Sequence, residues 1–339
     1  MEVLQRQFRA PEVYGDFWFN SEPISVGALR GFIIMLDFWD FTSLGSLHSL
    51  AYVQEWHRRY ADLGLVVVGV HTPMFPFARD PQLVKRAIDR FGVRYPVVLD
   101  NDYIVWSAYG IRSRPTKLLI NKNGYVSHWH GGEGPYYNFE HAIQSLLVES
   151  GYRADFPLVM EPLRETDAPG AICYRPTPEI LVGYQRGGIG NVEGCFPEST
   201  ASYSDPGLYL EGRVYLSGEW LCERDLVRHA ANEGEEGSLV LTYQAREAHA
   251  VMAPEGERGF QVFVMQDDLY LTSENRGEDV RIDHDGRSYL LIGEPRLYNV
   301  VKNREFGEHV LRLSSRSGGF AFYAVAFASA LMTDLVSEN

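Results

Sequence analysis

The stretch Phe32-Ile33-Ile34-Met35-Leu36-Asp37-Phe38-Trp39-Asp40-Phe41-Thr42-Ser43-Leu44-Gly45-Ser46-Leu47-His48 decides the fold of the first half of the chain. Residues 32–39 are an apolar run of strand length that breaks at a polar turn. Beyond the turn, Leu47, Leu50, Ala51, Val53, Trp56, Tyr60 and Leu63 recur at close to helical spacing. Strand, tight turn and helix start therefore follow one another directly. A helix N-terminus of this kind stabilises anions, thiolates among them. Here the turn offers Ser43 and Ser46 instead. A serine at a helix start is normally a cap that accepts a backbone hydrogen bond.

Outward from this stretch, strands and helices alternate. Leu65-Val66-Val67-Val68-Gly69-Val70 is short and β-branched, as a buried strand is. After Thr72-Pro73 comes a loop, then a helix over about 81–91, with Pro81 at its start and Gly92 past its end. Residues 95–99 read as a strand and 102–109 as a short helix. Strands over 117–121 and 125–129 flank Asn121-Lys122-Asn123-Gly124, a hairpin signal, and a last helix runs over about 139–149. The alternation predicts an α/β layer structure with helices on both sheet faces.

Composition bounds the rest. A chain of 339 residues exceeds what one core usually supports, so two domains are expected. With 45% hydrophobic and 22% charged residues it is globular in composition. A net charge of −14 and a pI near 5.2 exclude general binding to nucleic acid or an anionic membrane. No apolar run is long enough to span a bilayer, and no signal peptide follows Met1. That favours a cytoplasmic protein, or an extracytoplasmic one if the chain is a processed or trimmed form. Cys173, Cys195 and Cys222 all fall in the second half, so one disulfide can form and one thiol must remain over. Their spacing matches no zinc or redox motif, and buried inert thiols are the expectation.

From residue 153 to 175 runs a connector containing Pro157, Pro162 and Pro169, which favour an extended, semi-rigid link. Beyond it, short runs rich in Val, Leu, Tyr and Phe alternate with Gly, Asn, Asp and Glu. In two of them, Leu239, Leu241, Tyr243 and Phe260, Val262, Val264 fall on one face. Asp285-Gly286 and Gly318-Gly319 mark turns. Many short strands at this spacing predict an all-β jelly-roll sandwich over 176–335. Gly187-Gly188-Ile189-Gly190 resembles a phosphate loop only superficially, since no strand precedes it and no P-loop lysine follows.

Further stretches carry a resemblance: Gly69-Val70-His71-Thr72-Pro73, Pro96-Val97-Val98-Leu99-Asp100-Asn101-Asp102-Tyr103, Arg114-Pro115-Thr116 and Gly132-Glu133-Gly134. With Leu36-Asp37-Phe38-Trp39 they run in the order of the thioredoxin-like domain of the TlpA and DipZ thiol-disulfide oxidoreductases, which residues 15–150 resemble and which sets the expected first domain at 1–152. Pro178-Glu179-Ile180-Leu181-Val182-Gly183-Tyr184, Leu216-Ser217-Gly218-Glu219-Trp220 and Glu294-Pro295-Arg296-Leu297-Tyr298 resemble, more sparsely, the C-terminal β-domain of DipZ-type proteins, which looks like a carbohydrate-binding module. The resemblance implies a cis-proline at Pro115, facing the turn and shaping a groove for an extended peptide. Trp39, Thr42, Leu44, Gly45, Arg114, Pro115 and Thr116 are its expected lining.

Departures from the family pattern matter most. Ser43 and Ser46 stand where the family has Cys-x-x-Cys, and Met74 where it usually has a glutamate that helps move protons. A serine hydroxyl cannot attack a disulfide and form the mixed-disulfide intermediate. The serines are either an engineered pair or a natural loss, and the absence of the acid at Met74 favours natural loss. Ser43 or Ser46 with His48 or His71 makes a poor nucleophile–base pair, because the turn lacks a Gly-x-Ser-x-Gly elbow. His128-x-His130 puts two imidazoles on one strand face with no evident third ligand, so no metal and no other cofactor is expected. In the β-domain, Trp220, Tyr298, Tyr209 and Tyr270 are candidate sugar platforms, although sandwich aromatics are usually core. The expected function is binding of a protein or extended peptide by a redox-inactive domain, with a place in a larger assembly as one form of it. The alternatives are a thiol-disulfide oxidoreductase whose cysteines were replaced, and glycan recognition by the β-domain.

Overall fold

The computed structural model describes residues 2–153, 155–256 and 259–332, apart from the side chains of 2–7. Two compact units, Met1–Ala171 and Ile172–Asn339, divide the chain. The first is built from β1 (Glu2–Arg9), β2 (Trp18–Phe19), β3 (Ile33–Trp39), α1 (Leu44–Tyr60), β4 (Leu65–His71), α2 (Pro81–Phe91), β5 (Val97–Leu99), α3 (Ile104–Ala108), β6 (Thr116–Ile120), β7 (Tyr125–Gly131) and α4 (Tyr136–Glu149). Its seven-stranded sheet has the order β1-β7-β6-β3-β4-β5-β2. The pairings β3–β4 and β4–β5 are parallel, as helix-linked strands require, whereas β6 meets β3 antiparallel.

All seven residues of β3 are buried, because helices cover both faces of the sheet at this strand. Ile33, Met35 and Trp39 pack on one face with Trp56, Tyr60 and Phe139, while Ile34, Leu36 and Phe38 pack on the other with Val68, Val105 and Tyr109. Each such large side chain stabilises by roughly 1.5–3 kcal/mol on burial. Helix α2 begins and ends where its sequence signals lie: Asp80 caps Gln82 N–H, Pro81 opens the helix, and Gly92 closes it at φ 68°. Unread in the sequence were β1 and β2, which pair at the two sheet edges with β7 and β5. β1 shows no clean alternation, and β2 is only two residues long, too short for its Trp18-Phe19 pair to mark a strand.

Of the connector expected over 153–175 as an extended, semi-rigid link, the part up to Ala171 falls within the first unit. Phe156 and Met160 pack on its core. Buried Glu140 of α4 explains the attachment. Its carboxylate accepts from Trp56 Nε1 at 3.2 Å, Arg59 Nη1 at 2.5 Å, Tyr60 OH at 2.6 Å and the backbone N–H of Met160 at 3.1 Å. Gln144 donates to Pro157 O and Arg59 to Leu158 O, so polar groups of the helices tie the segment down.

The second unit contains β8 (Ile180–Leu181), β9 (Ser199–Tyr203), β10 (Tyr215–Cys222), β11 (Val227–His229), β12 (Gly237–Pro254), β13 (Phe260–Gln266), β14 (Leu269–Tyr270), β15 (Val280–Ile282), β16 (Ser288–Ile292), β17 (Arg296–Ser315) and β18 (Phe320–Ala328). Every strand pairing is antiparallel. Long β12 pairs β10 near its start and β18 along its second half, with β17 beside it over most of its length. The sheet thereby folds around one core, in which Leu239, Leu241, Tyr243, Val262 and Val264 lie on the inward face. The β-rich class is as expected. Residues 333–335 of the expected sandwich lie outside the described residues.

Candidate functional site

The end of β3 and the start of α1 form a closed polar knot. Asp40 is fully buried, and one carboxylate oxygen accepts from both Thr42 N–H and Thr42 Oγ1 at 2.6 Å. Its second oxygen accepts from Met74 N–H at 2.5 Å, which ties the turn to the loop after β4. Ser43 is the N-cap of α1: its Oγ accepts from Ser46 N–H at 3.3 Å. Ser46 is itself buried and its Oγ accepts from Asp40 N–H at 3.3 Å. Both hydroxyls thus serve as backbone acceptors.

The Arg114–Pro115 peptide is cis, and this corner faces the turn. A Cβ added at Gly45 would sit 3.3 Å from Pro115 Cδ and 3.1 Å from Glu133 Oε1, so turn, proline and Glu133 converge there. Glu133 accepts from His48 Nδ1 at 2.9 Å and from Arg164 Nη2 at 2.7 Å. Desolvation acts to raise its pKa, but His48 and Arg164 outweigh it and hold the carboxyl down at about 2. On the opposite side Arg114 donates to Thr72 O at 2.8 Å and lies 4.4 Å over the Trp106 ring. The Arg114 backbone N–H and C=O make no hydrogen bond among the described residues.

The expected groove lining needs correcting. Gly45 and Arg114 are partly accessible, but Trp39, Thr42 and Thr116 are fully buried, Leu44 nearly so, and Pro115 is buried as well. Trp39 points to the face of β3 packed with Trp56 and Phe139; Thr42 is turned inward by Asp40, and Thr116 Oγ1 by Ser113 O. Neither histidine serves a serine. His48 is engaged by Glu133, and His71 is buried between Trp39 and Phe41. Burial lowers the His71 pKa to about 4, so its ring is neutral. His128 and His130 contact Ser127 Oγ and Glu133 O, and no metal-holding cluster gathers among the described residues.

Beneath the turn lies a buried pair that the sequence reading passed over. Asp37 and Lys117 are cross-strand neighbours of β3 and β6. Lys117 Nζ donates to Ser49 Oγ at 2.8 Å and to Gly132 O at 3.4 Å. Burial pushes the Asp37 pKa up to about 7 against the pull of Lys117, and brings Lys117 down to about 8 against that of Asp37. A carboxyl with a raised folded pKa favours the fold fully only below its unfolded pKa and loses that contribution as pH rises through about 7. Lysine, lowered, loses its contribution as pH falls through about 8. Asp37→Asn is therefore expected to remove a stability loss of roughly 2–3 kcal/mol between pH 5 and 8, because most of that window lies between the unfolded and folded pKa of Asp37, whereas Lys117 titrates at its upper edge and above. Urea midpoints at the two pH values measure this; an unchanged pH slope would show that Asp37 does not titrate in the range.

A domain model described as "Thioredoxin like C-terminal domain" matches residues 177–328. Protein DipZ of Mycobacterium bovis is 29% identical over 251 residues, covering 73% of this chain and 35% of DipZ. The thiol-disulfide oxidoreductase ResA of Halalkalibacterium halodurans is 31% identical over 114 residues, covering 33% of this chain and 61% of ResA. The first unit is thioredoxin-like. A thioredoxin-like superfamily protein of solved structure is 25% identical, with a TM-score of 0.40, over 44% of this chain and 99% of that one. The chain spans about a third of the length of the DipZ proteins it matches. No helix among the described residues is long and apolar enough to cross a membrane.

In the β-rich unit, two candidate platforms are core. Trp220 is fully buried with Nε1 donating to Ser217 O, and Tyr298 is buried with its hydroxyl on Glu294 O and the Arg296 guanidinium over its ring. Tyr209 is half-buried and bonded to Asp205, and Tyr270 is exposed. The inert-thiol expectation fails for two cysteines: Cys195 and Cys222 are joined in a disulfide with Cα atoms 5.7 Å apart. Cys173 is not part of it.

Proposed function

We propose that the thioredoxin-like unit is a redox-inactive member of the TlpA/DipZ type that binds an extended protein segment at the corner formed by Ser43, Gly45 and Pro115. One observation carries this reading: the hydroxyls at 43 and 46, where the resemblance places the reactive thiols, are both committed to backbone hydrogen bonds. Support for binding comes from the Arg114 backbone, whose open N–H and C=O suit an extended partner by strand addition. The β-rich unit, which we take to be a jelly-roll module, completes a two-unit body suited to an accessory place in a larger assembly.

Insulin disulfide reduction tests the chemistry. The unmodified chain is expected to be inactive, and the Ser43→Cys/Ser46→Cys variant to gain activity, because a thiolate at a helix start is the required nucleophile. Binding is tested separately with an array of extended peptides, read against Gly45→Leu, whose side chain would fill the corner. Reduction by the unmodified chain, or peptide binding indifferent to Gly45→Leu, would overturn the corresponding half of the reading.

A further inference from the structure

We propose that the β-rich unit binds a compact organic carboxylate in the cleft beside its edge strand β15. The cleft holds about 550 Å³, within the range of small-molecule sites, and lies wholly inside this unit. Arg276, Arg281 and Arg296 line it, with Glu278 and Asp279 and the aliphatic side chains of Ile282 and Leu291. Ile282 and Leu291 are 40% and 44% exposed, an open apolar surface next to charge.

Pairing decides which charges are spare. Arg296 forks onto Asp279 at 2.9 and 3.0 Å, and Glu278 meets Lys302 at 3.4 Å, so both acids are matched. Arg276 donates to the carbonyl of Val280 at 2.7 Å, a neutral acceptor that leaves its charge uncompensated. Exposed Arg281 makes no ion pair among the described residues. A chain of net charge −14 thus presents a concave site with two spare guanidiniums. Guanidinium matches the carboxylate fork in geometry and charge, and Ile282 and Leu291 can take the ligand's body. Arg296 is held in advance by Asp279 and by the Tyr298 ring 3.7 Å away, which fixes that wall.

Edge geometry limits the size of the occupant. The outer N–H of Val280 is closed onto Gly277 O and its C=O onto Arg276, so β15 offers too little free edge for an extended chain to add as a strand. A carboxylate on a compact body, either a six-carbon sugar acid or a short aliphatic acid, fits instead.

The test is ligand-observed saturation-transfer NMR on the full chain with three observed probes, glucuronate, succinate and glucose, and with inorganic phosphate, which carries no observable proton, added as a competitor. Saturable binding of glucuronate, succinate or both, weakened about tenfold or more by Arg281→Ala and absent with glucose, supports the site. Whichever acid saturates names the body it takes. Arg281 is exposed and unpaired, so its variant should keep the parent's melting temperature, and Arg281→Lys should restore binding in part. Four results overturn the proposal: glucose binding as well as glucuronate, phosphate competing with equal affinity as an indiscriminate anion, Arg281→Ala binding unchanged, or no probe saturating.

Discussion

Replacing Glu140 with alanine is expected to cost the thioredoxin-like unit about 3–5 kcal/mol of stability, because one partner of a buried ion pair is removed while the other stays. Arg59 Nη1, Tyr60 OH, Trp56 Nε1 and Met160 N–H all converge on this carboxylate, which is fully buried. Without it the Trp56 indole N–H loses its acceptor inside the core, and residues 157–160 lose one of the bonds holding them to the helices. Glu140→Gln keeps an acceptor of the same shape and should lose less. Urea denaturation followed by tryptophan fluorescence measures both variants. A loss below about 1 kcal/mol for Glu140→Ala would mean that Arg59 transfers to Glu55, which already lies 3.3 Å from its Nε, and that the segment is held by its apolar contacts alone.

Opening the Cys195–Cys222 link, by reduction or by Cys222→Ser, should cost the β-rich unit about 3.5 kcal/mol on the chain-entropy account for a closed loop of this size. The two cysteines are 27 residues apart and fasten the loop before β9 to the end of β10. Cys222 is fully buried, so its sulfur is a poor leaving group, and reduction without denaturant should be slow. In place of sulfur, serine would bring a hydroxyl into an apolar core, so Cys222→Ala separates the lost crosslink from that burial cost. The readout is the transition midpoint of the β-rich unit with and without reductant. Should oxidised and reduced forms unfold together, the link contributes nothing and the loop is held by its hydrogen bonds, such as Tyr203 OH to Gly194 O.

Much of the fold was legible because its signals are local. The apolar run of β3, the Pro81 and Gly92 boundaries of α2, and the Asn-Gly turn between β6 and β7 each need only neighbours in sequence. The corner was half legible. Ser43 and Ser46 could be placed from spacing, and the cis Arg114–Pro115 bond lay where the resemblance put it. What could not be read were partners distant in sequence. Glu133, 85 residues from His48 and 31 from Arg164, joins the corner only once the turn after β7 meets the start of α1. Asp37 did carry a usable sign, a carboxylate in the middle of an otherwise apolar strand, which forces burial of a charge or of a proton. Trp39, Thr42 and Thr116 were misplaced because proximity along the chain to a turn says nothing about which way a side chain points. Trp220 and Tyr298 illustrate the same limit for aromatics in a folded sheet.

The committed hydroxyls of Ser43 and Ser46 have one more consequence. A dithiol at these two positions would exist in two covalent forms, each with its own local geometry, and a ligand at the corner would feel the ambient potential through their ratio. Oxygen in those places has a single form under all biological potentials. Whatever rests against Gly45 and Pro115 therefore meets the same surface in reducing and oxidising surroundings, and its occupancy should follow concentration alone.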